Sequence, residues 1–308
     1  MVQENEGDNF MQTQQIPVDN GVQLAVRRYE PAGAPRASIV IGGAMGVRQS
    51  FYEPFAQWLA QQGLRVWTFD YRGSGDSRNG ASLRGFEADL FDWARDYEAV
   101  IDAAKAAQPA QPLYLLGHSL GAQLPGFLQR PEQVDGLVSI AAGSGYWREN
   151  APKLRRSILY FWFVLVPLAT RLCGYFPGRR LKKVGDLPRG VILQWRRWCL
   201  HPRYSVGAEG EIALQSYGRV RFPVLALSIT DDELMTLAGT ESLLSLYAGA
   251  PRAVERIAPA DVQARRIGHF GFFREQFSRS LWPSTVDKLH RLAALTAVQH
   301  ADVPHTTA

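Results

Sequence analysis

A serine between two glycines is the first residue of this sequence whose surroundings suit nucleophilic chemistry. Ser119 lies in the pentapeptide Gly117-His118-Ser119-Leu120-Gly121, after the apolar run Leu113-Tyr114-Leu115-Leu116 and before the helix-like stretch Ala122 to Gln129. Glycines at these two positions allow a sharp, strained turn between a strand and a helix, which lifts the serine hydroxyl above the sheet. We therefore expect Ser119 to attack a carbonyl carbon, with the backbone N–H of Leu120 as one oxyanion donor.

Two residues near Ser119 need separate interpretation. His118 is the first variable residue of the pentapeptide, and we expect it to pack beside the nucleophile without a catalytic role. Pro125 lacks a backbone N–H and removes a helix donor about one turn after the serine.

A serine nucleophile needs a general base, and one histidine has a suitable position. His269, in Gly268-His269-Phe270-Gly271, follows the last expected strand on a loop that flanking glycines allow to turn. We expect His269 to be the base. The other histidines lie beside the serine, within an insertion, on the expected final helix or in the C-terminal tail: His118, His201, His290, His300 and His305.

The orienting carboxylate is expected at the end of the preceding strand. The apolar run Pro223 to Ile229 ends in Thr230-Asp231-Asp232-Glu233. A carboxylate here can accept the imidazole Nδ1–H, fix the tautomer and stabilise the imidazolium. We prefer Asp232, because it places the next three residues where such loops turn back, and keep Asp231 as the alternative. The order along the chain is then nucleophile, acid, base, as this arrangement requires.

Small residues after an early strand can supply the second oxyanion donor. The stretch Ile41-Gly42-Gly43-Ala44-Met45-Gly46-Val47 carries few bulky side chains. A backbone N–H of Met45, or alternatively of Ala44, is therefore expected to point into the site.

The elements that must position these residues alternate between short apolar runs and longer helical stretches. This alternation predicts an α/β fold with a mostly parallel central sheet and helices on both faces. Val22 to Tyr29 alternates as an edge strand, and a last strand is expected within Ala253 to Arg266. Buried strands are expected at Ala37–Ile41, Arg65–Phe69, Pro112–Leu116, Gly136–Ala141 and Pro223–Ile229, and helices at Tyr52–Gln62, Leu90–Ala107, Leu237–Tyr247 and Pro283–Ala297.

The domain organisation follows from where this alternation stops. No strand pattern is evident in residues 144–221, so we expect a helical lid insertion within a core formed by residues 16–143 and 222–298. Residues 1–15 and 299–308 are polar and are expected to be N- and C-terminal tails.

Composition excludes several classes of protein. The chain has 308 residues, of which 46% are hydrophobic and 20% charged, as in ordinary soluble globular proteins. The net charge of +5 is mild and no run of Lys and Arg resembles a nucleic-acid-binding arm, so no nucleic-acid partner is expected. Cys173 and Cys199 form neither a disulfide framework nor a metal-ligand cluster. The polar, acidic start from Met1 to Gln15 is unlike a signal peptide, which predicts a cytoplasmic protein.

The expected lid holds most of the positive excess of the chain and many aromatic residues. Its apolar run from Ser157 to Thr170 is shorter than the ~20 residues of a membrane-spanning helix and contains Pro167, so we expect a buried helix or a lid helix. Basic residues beside such a helix favour a hydrophobic acyl pocket and weak docking on anionic membranes. The alternative is a solvated arginine face over a cleft that the aromatic residues cap. Between Trp147 and Tyr204, where the acids are only Glu149 and Asp186, the basic residues are Arg148, Lys153, Arg155, Arg156, Arg171, Arg179, Arg180, Lys182, Lys183, Arg189, Arg196, Arg197 and Arg203.

Three motifs together resemble the α/β-hydrolase superfamily, and most closely its bacterial serine aminopeptidase S33-like members. The motifs are Gly117 to Gly121, the stretch Asp70-Tyr71-Arg72-Gly73-Ser74-Gly75-Asp76-Ser77, and Gly268 to Gly271. The resemblance implies Ser119 as nucleophile, His269 as base, Asp232 or Asp231 as acid, and no cofactor or metal. Gly42-Gly43 stands where many relatives carry His-Gly, which leaves the choice of oxyanion donor in this loop open. The motifs of proline iminopeptidases are missing, which argues against an aminopeptidase.

These observations favour hydrolysis of a carboxylic ester, with a small-molecule acyl substrate and an acyl-enzyme intermediate. The alternative is an acyltransferase of the homoserine-acetyltransferase-like type, which shares such a triad and a helical lid but excludes water from the acyl-enzyme. A peptidase, or a non-catalytic binding protein on the same scaffold, is less favoured. Haloalkane dehalogenation is excluded, because it needs a carboxylate where Ser119 stands.

Overall fold

In the computed structural model, the chain folds around a single eight-stranded sheet. The structure describes residues 11–301, except for the side chains of residues 155 and 293–301. The strand order is β1-β2-β4-β3-β5-β6-β7-β8. The pairs β1·β2 and β2·β4 are antiparallel and all the others are parallel. The expected α/β fold with a mostly parallel sheet is confirmed. The strands are β1 Met11–Pro17, β2 Gln23–Tyr29, β3 Ser38–Gly42, β4 Arg65–Phe69, β5 Leu113–His118, β6 Gly136–Ile140, β7 Val224–Ile229 and β8 Arg252–Ile257.

Helices cover both faces of the sheet, so the central strands are apolar on both sides. In β5, Leu113 and Leu115 join the core under α2, whereas Tyr114 and Leu116 join the core under α1 and α10. The helices are α1 Glu53–Gln61, α2 Leu90–Ala107, α3 Arg155–Tyr160, α4 Val166–Cys173, α5 Arg189–Leu200, α6 Tyr204–Glu209, α7 Glu211–Arg219, α8 Leu237–Leu246, α9 Gly268–Gly271 and α10 Pro283–Ala301.

Both ends of the described chain differ from the expected tails. Residues 11–15 belong to β1, which pairs antiparallel with β2 from Met11↔Tyr29 to Pro17↔Gln23. The polar residues of β1 suit an edge strand that faces solvent, and β2 is therefore an inner strand rather than the expected edge. At the other end, α10 continues to Ala301, because no Gly or Pro interrupts the sequence after Pro283. The remaining residues of both expected tails lie outside the described residues.

The expected helix after Ser119 is replaced by two 3-10 turns, Ser119–Ala122 and Leu124–Phe127. Pro125 cannot donate the backbone hydrogen bond that a continuous α-helix needs there. Two buried tyrosines satisfy the carbonyl groups instead: Tyr247 Oη donates to Ala122 O at 2.7 Å, and Tyr217 Oη donates to Gln123 O at 2.7 Å.

Between β6 and β7 the chain runs through α3 to α7, and we call residues 144–221 the insertion. A π-helical turn, Phe161–Leu165, joins α3 to α4 in one helical stretch that ends at Gly174 in the left-handed region. Within residues 11–301, Arg156–Cys173 is the one stretch long and apolar enough to cross a membrane by length and composition alone, and only 22% of it is buried. Of the two expectations for this stretch, a buried helix or a lid helix, the buried helix is wrong, because one face is exposed.

Candidate active site

Ser119 occupies a strained turn at the carboxyl end of β5. Its φ is 53°, in the left-handed region that residues other than glycine rarely adopt. The flanking glycines are required by contact: a Cβ on Gly117 would lie 2.5 Å from Gly121 O, and a Cβ on Gly121 would lie 2.0 Å from Gly42 O. Close packing of the turn against the end of β3 therefore holds the serine in this conformation.

His269 and Asp232 form a buried pair at the same edge of the sheet. His269 Nδ1 lies 2.9 Å from Asp232 Oδ2, and the two side chains are 2% and 1% exposed. Asp232 Oδ1 also accepts the backbone N–H groups of Leu234 and Met235, at 2.7 and 2.9 Å. The carboxylate is thus fixed on one side by its own loop and binds the imidazole on the other.

The two neighbouring acids bind the backbone beside His269 rather than its ring. Asp231 accepts the N–H groups of Ile267 and Gly268, each at 3.0 Å. Glu233 accepts the His269 N–H at 3.1 Å and pairs with Arg266 at 3.0 Å. Burial acts to raise the pKa of Glu233, but hydrogen bonds from backbone N–H groups, including that of His269, and the Arg266 charge hold it below its usual value. Glu233 was not singled out from the sequence, although its place beside the two aspartates was a usable signal.

A hydrogen-bonded chain of buried groups connects the loop after β3 to His269. Ala44 N–H donates to Tyr52 Oη at 2.8 Å, and Tyr52 Oη lies 2.9 Å from His118 Nδ1. His118 Nε2 lies 3.0 Å from the backbone oxygen of His269. Burial, together with the nearby His269, lowers the pKa of His118 well below its usual value. His118 is therefore neutral, and it donates from Nε2 to the carbonyl of His269 and accepts from Tyr52 at Nδ1.

The carboxylate of Asp70, in the Asp70–Ser77 motif, fixes the loop after β3 and the loop after β4. It accepts the Gln49 N–H and the Asp76 N–H, each at 2.9 Å. Gly75 has φ 47° and packs so closely on Asp70 that a Cβ would lie 2.2 Å from Asp70 Cγ. Burial raises the pKa of Asp70, and the N–H donors offset this only in part. The motif thus supports the loop that contains Met45.

Ser119, Asp232 and His269 therefore follow β5, β7 and β8, whose carboxyl ends lie at one edge of the parallel sheet. The imidazole rings of His118 and His269 are 5.0 Å apart, which brings the residue before Ser119 against the expected base. Met45 and Ala44 follow β3, the other neighbour of β5. Among the described residues, no group of three or more His, Cys, Asp and Glu side chains is arranged to hold a metal ion.

Comparison with known proteins agrees with this architecture. A family model described as "Serine aminopeptidase, S33" matches residues 33–260. The monoglyceride lipase of Homo sapiens is 30% identical over 124 residues, which are 40% of this chain and 40% of that protein, so the match spans less than half of the relative. A soluble variant of the monoglyceride lipase of Saccharomyces cerevisiae has a similar structure, with a TM-score of 0.64 at 13% identity over 91% of this chain and 94% of that one. A thermostable carboxyl esterase from Bacillus coagulans gives a TM-score of 0.60 at 13% identity over 92% and 99% of the two chains.

Proposed function

Since the chain belongs to the serine aminopeptidase S33 family of α/β-hydrolases, we propose that it is a carboxylic-ester hydrolase with Ser119 as nucleophile. The observation that carries this proposal is the strained Ser119 turn beside a buried, hydrogen-bonded His269–Asp232 pair. An unstrained surface serine would not need close-packed glycines on both sides, and a structural histidine would not need a dedicated buried carboxylate.

In the proposed mechanism, His269 Nε2 takes the proton of the Ser119 hydroxyl as Oγ attacks the ester carbonyl. Asp232 accepts the Nδ1–H, so the ring presents Nε2 to the serine and its positive charge is stabilised. The imidazolium then returns the proton to the leaving alcohol, and an acyl-Ser119 ester remains. Water, deprotonated by His269, hydrolyses this ester and restores the serine.

The proposed oxyanion donors are the backbone N–H groups of Leu120 and Met45. The contact at Ala44 supports Met45 over the alternative, because the Ala44 N–H is already donated to Tyr52 Oη. Met45 is the next residue and precedes Gly46, whose φ of 69° turns the chain back.

Ester chemistry rather than peptide hydrolysis is supported by the relatives, one of which is named a monoglyceride lipase. The direct test is turnover of p-nitrophenyl esters from acetate to decanoate and of 1-acylglycerols, beside alanine p-nitroanilide. We expect medium-chain esters to react faster than acetate, and the anilide to react far more slowly. Faster anilide turnover would contradict the proposal. Product that appears only when an acceptor alcohol is supplied with an acyl-CoA would instead indicate an acyltransferase.

The insertion is proposed to cover the site and to shape the acyl pocket. The Tyr204 hydroxyl, on α6, donates a hydrogen bond of 2.7 Å to Oε1 of Gln123, which lies four residues after Ser119. The loop between α4 and α5 contacts the loop after β3: a Cβ on Gly46 would lie 2.5 Å from Gly185 N. Because the insertion contacts both the serine turn and the Met45 loop, its side chains can select among acyl groups.

The exposed face of the α3–α4 stretch is proposed to dock on anionic membranes. Its buried face carries Trp162, Val166 and Thr170, each four residues apart. Away from this buried face lie large apolar side chains that are exposed: Tyr160, Phe163, Val164, Leu168 and Leu172. A helix with one face packed on the protein and the other apolar suits the membrane interface rather than a span. The basic residues of the insertion supply the charge that attracts anionic headgroups.

Docking is tested by co-sedimentation with phosphatidylglycerol vesicles. We expect binding at low salt that weakens at high salt, because exposed charges are screened. Leu168→Ser with Leu172→Ser should reduce binding severalfold, since each change removes an apolar side chain from the exposed face. Ile212→Ser is the matched control, because Ile212 on α7 is 67% exposed, like Leu172 at 68%. Docking is contradicted if vesicles are not bound at low salt, or if the control reduces binding equally.

A further inference from the structure

Three loops, including the proposed oxyanion loop, line an open cavity of about 270 Å³. The loop after β3 contributes Gly46 and Arg48, and the insertion contributes Arg179, Gly185 and Asp186. The loop after β4 contributes Gly73, Ser74, Gly75 and Arg78. We call it the arginine cavity, after Arg48, Arg78 and Arg179 in its lining. None of these arginines has a role in the chemistry proposed above.

The arginine cavity has more positive charge than its own carboxylate can neutralise. Asp186 pairs with Arg78 at 3.2 Å through Oδ2, and its Oδ1 accepts the backbone N–H of Arg179 at 3.0 Å. Within the described part of the chain, the guanidinium groups of Arg48 and Arg179 have no carboxylate partner within 4.0 Å. Two guanidinium groups are therefore available to an anion, and guanidinium groups bind phosphate through paired N–H···O hydrogen bonds.

The shape of the cavity depends on glycines at its contacts. A Cβ on Gly185 would lie 2.5 Å from Gly46 O, so the insertion loop rests on the backbone of the loop after β3. Gly73 has φ 72°, and a Cβ there would lie 2.8 Å from the ring of Phe86. Small residues in the lining leave space for a ligand between the three arginines.

The position of the cavity relates it to catalysis. Gly46, in its lining, directly follows Met45, the proposed oxyanion donor. The cavity therefore borders the loop that is proposed to bind the carbonyl oxygen of the substrate.

We propose that the arginine cavity binds a phosphate group on the alcohol part of the ester, so that the preferred substrates are acyl esters of a phosphorylated alcohol. This inference rests on the proposed ester hydrolysis and adds the substrate class. Arg48 and Arg179 contact the phosphate, and Asp186 holds Arg78 at the rim.

The substrate class is tested with 1-octanoylglycerol and 1-octanoylglycerol 3-phosphate, each below its critical micelle concentration. The wild-type protein is expected to have a higher kcat/KM for the phosphate ester. Arg48→Gln and Arg179→Gln should each lower this preference about tenfold, the effect of about one charge-assisted hydrogen bond. Arg180→Gln is the matched control, since Arg180 is exposed like its neighbour Arg179 but does not line the cavity. The proposal is overturned if the wild type does not prefer the phosphate ester, or if neither cavity variant changes the preference.

Binding without turnover separates this inference from the proposed function. Calorimetric titration with glycerol 3-phosphate, glycerol and inorganic phosphate at fixed ionic strength needs no ester hydrolysis. We expect glycerol 3-phosphate to bind, glycerol not to bind, and Arg179→Gln to weaken the binding. If neither octanoyl ester reacts but this binding pattern holds, ester hydrolysis is wrong and the anion site stands. Binding of inorganic phosphate equal to that of glycerol 3-phosphate, without a preference for the phosphate ester, overturns the substrate assignment.

Discussion

Tyr52 Oη lies 2.9 Å from His118 Nδ1, a contact between residues 66 positions apart in the chain. The same hydroxyl accepts the Ala44 N–H, and His118 donates onward to the carbonyl of His269. One chain of buried groups thus joins the proposed oxyanion loop, the residue before the nucleophile and the proposed base. Both ring nitrogens of His118 are occupied by these contacts, which supports its predicted role as a residue that packs beside the nucleophile.

Tyr52→Phe should weaken catalysis and stability together. The change leaves the Ala44 N–H and His118 Nδ1 buried without a partner, which costs about 1–3 kcal/mol of unfolding free energy. We expect kcat to fall at least about tenfold, because the loop that carries Met45 loses its tie to the serine turn. Tyr71→Phe is the control: Tyr71 is buried, and its hydroxyl has no hydrogen-bond partner among residues 11–301. Equal effects of the two changes in denaturant unfolding and in ester turnover would contradict the supporting role of Tyr52.

His118 should make the protein sensitive to acid. Burial holds the folded-state pKa of His118 well below its usual value, so below about pH 6.5 the unfolded chain binds a proton that the folded chain does not. The unfolding free energy should therefore fall as pH decreases below about 6.5, by up to about 1.4 kcal/mol per pH unit from this residue. In His118→Asn this contribution is absent, and the difference between the two unfolding curves from pH 7 to pH 5 measures it. Parallel curves would mean that His118 is protonated in the folded protein.

The two aspartates should differ strongly in their effect on turnover. Asp232→Asn should lower kcat on the order of 10⁴-fold, because an amide at this position stabilises the wrong imidazole tautomer. Asp231→Asn should cost far less, because Asp231 binds backbone N–H groups and does not contact the ring. The measurement is kcat of the two variants for one p-nitrophenyl ester. A larger loss in Asp231→Asn than in Asp232→Asn would exchange the two roles.

Much of the proposed site follows from the sequence, because Ser119, Asp232 and His269 each lie in the segment that follows a strand and parallel strands end at one edge. The choice between Asp231 and Asp232 does not, since adjacent residues in a loop differ only by the direction of their side chains. Contacts between distant segments are likewise hidden: nothing near His118 in the sequence indicates Tyr52. The strand β1 was missed because its central residues, Gln12 to Gln15, are all polar, which a solvent-facing edge strand tolerates.

Tyr247→Phe should destabilise the turn that follows the nucleophile. Its hydroxyl satisfies Ala122 O, a carbonyl that the interrupted helix leaves without its usual partner. We expect a loss of about 1–3 kcal/mol in unfolding free energy, measured by urea titration. A loss no larger than that of Tyr71→Phe would show that water replaces the tyrosine at this carbonyl.

The central claim is that Ser119 is an activated nucleophile, and labelling with a fluorophosphonate followed by mass spectrometry tests it without knowledge of the substrate. The account predicts one labelled residue, Ser119, in the wild-type protein, no labelling in Ser119→Ala, and labelling slowed at least about a hundredfold in His269→Ala because the base is removed. Circular dichroism must show that both variants are folded. A folded wild-type protein that is not labelled, or is labelled at another serine, would contradict the account.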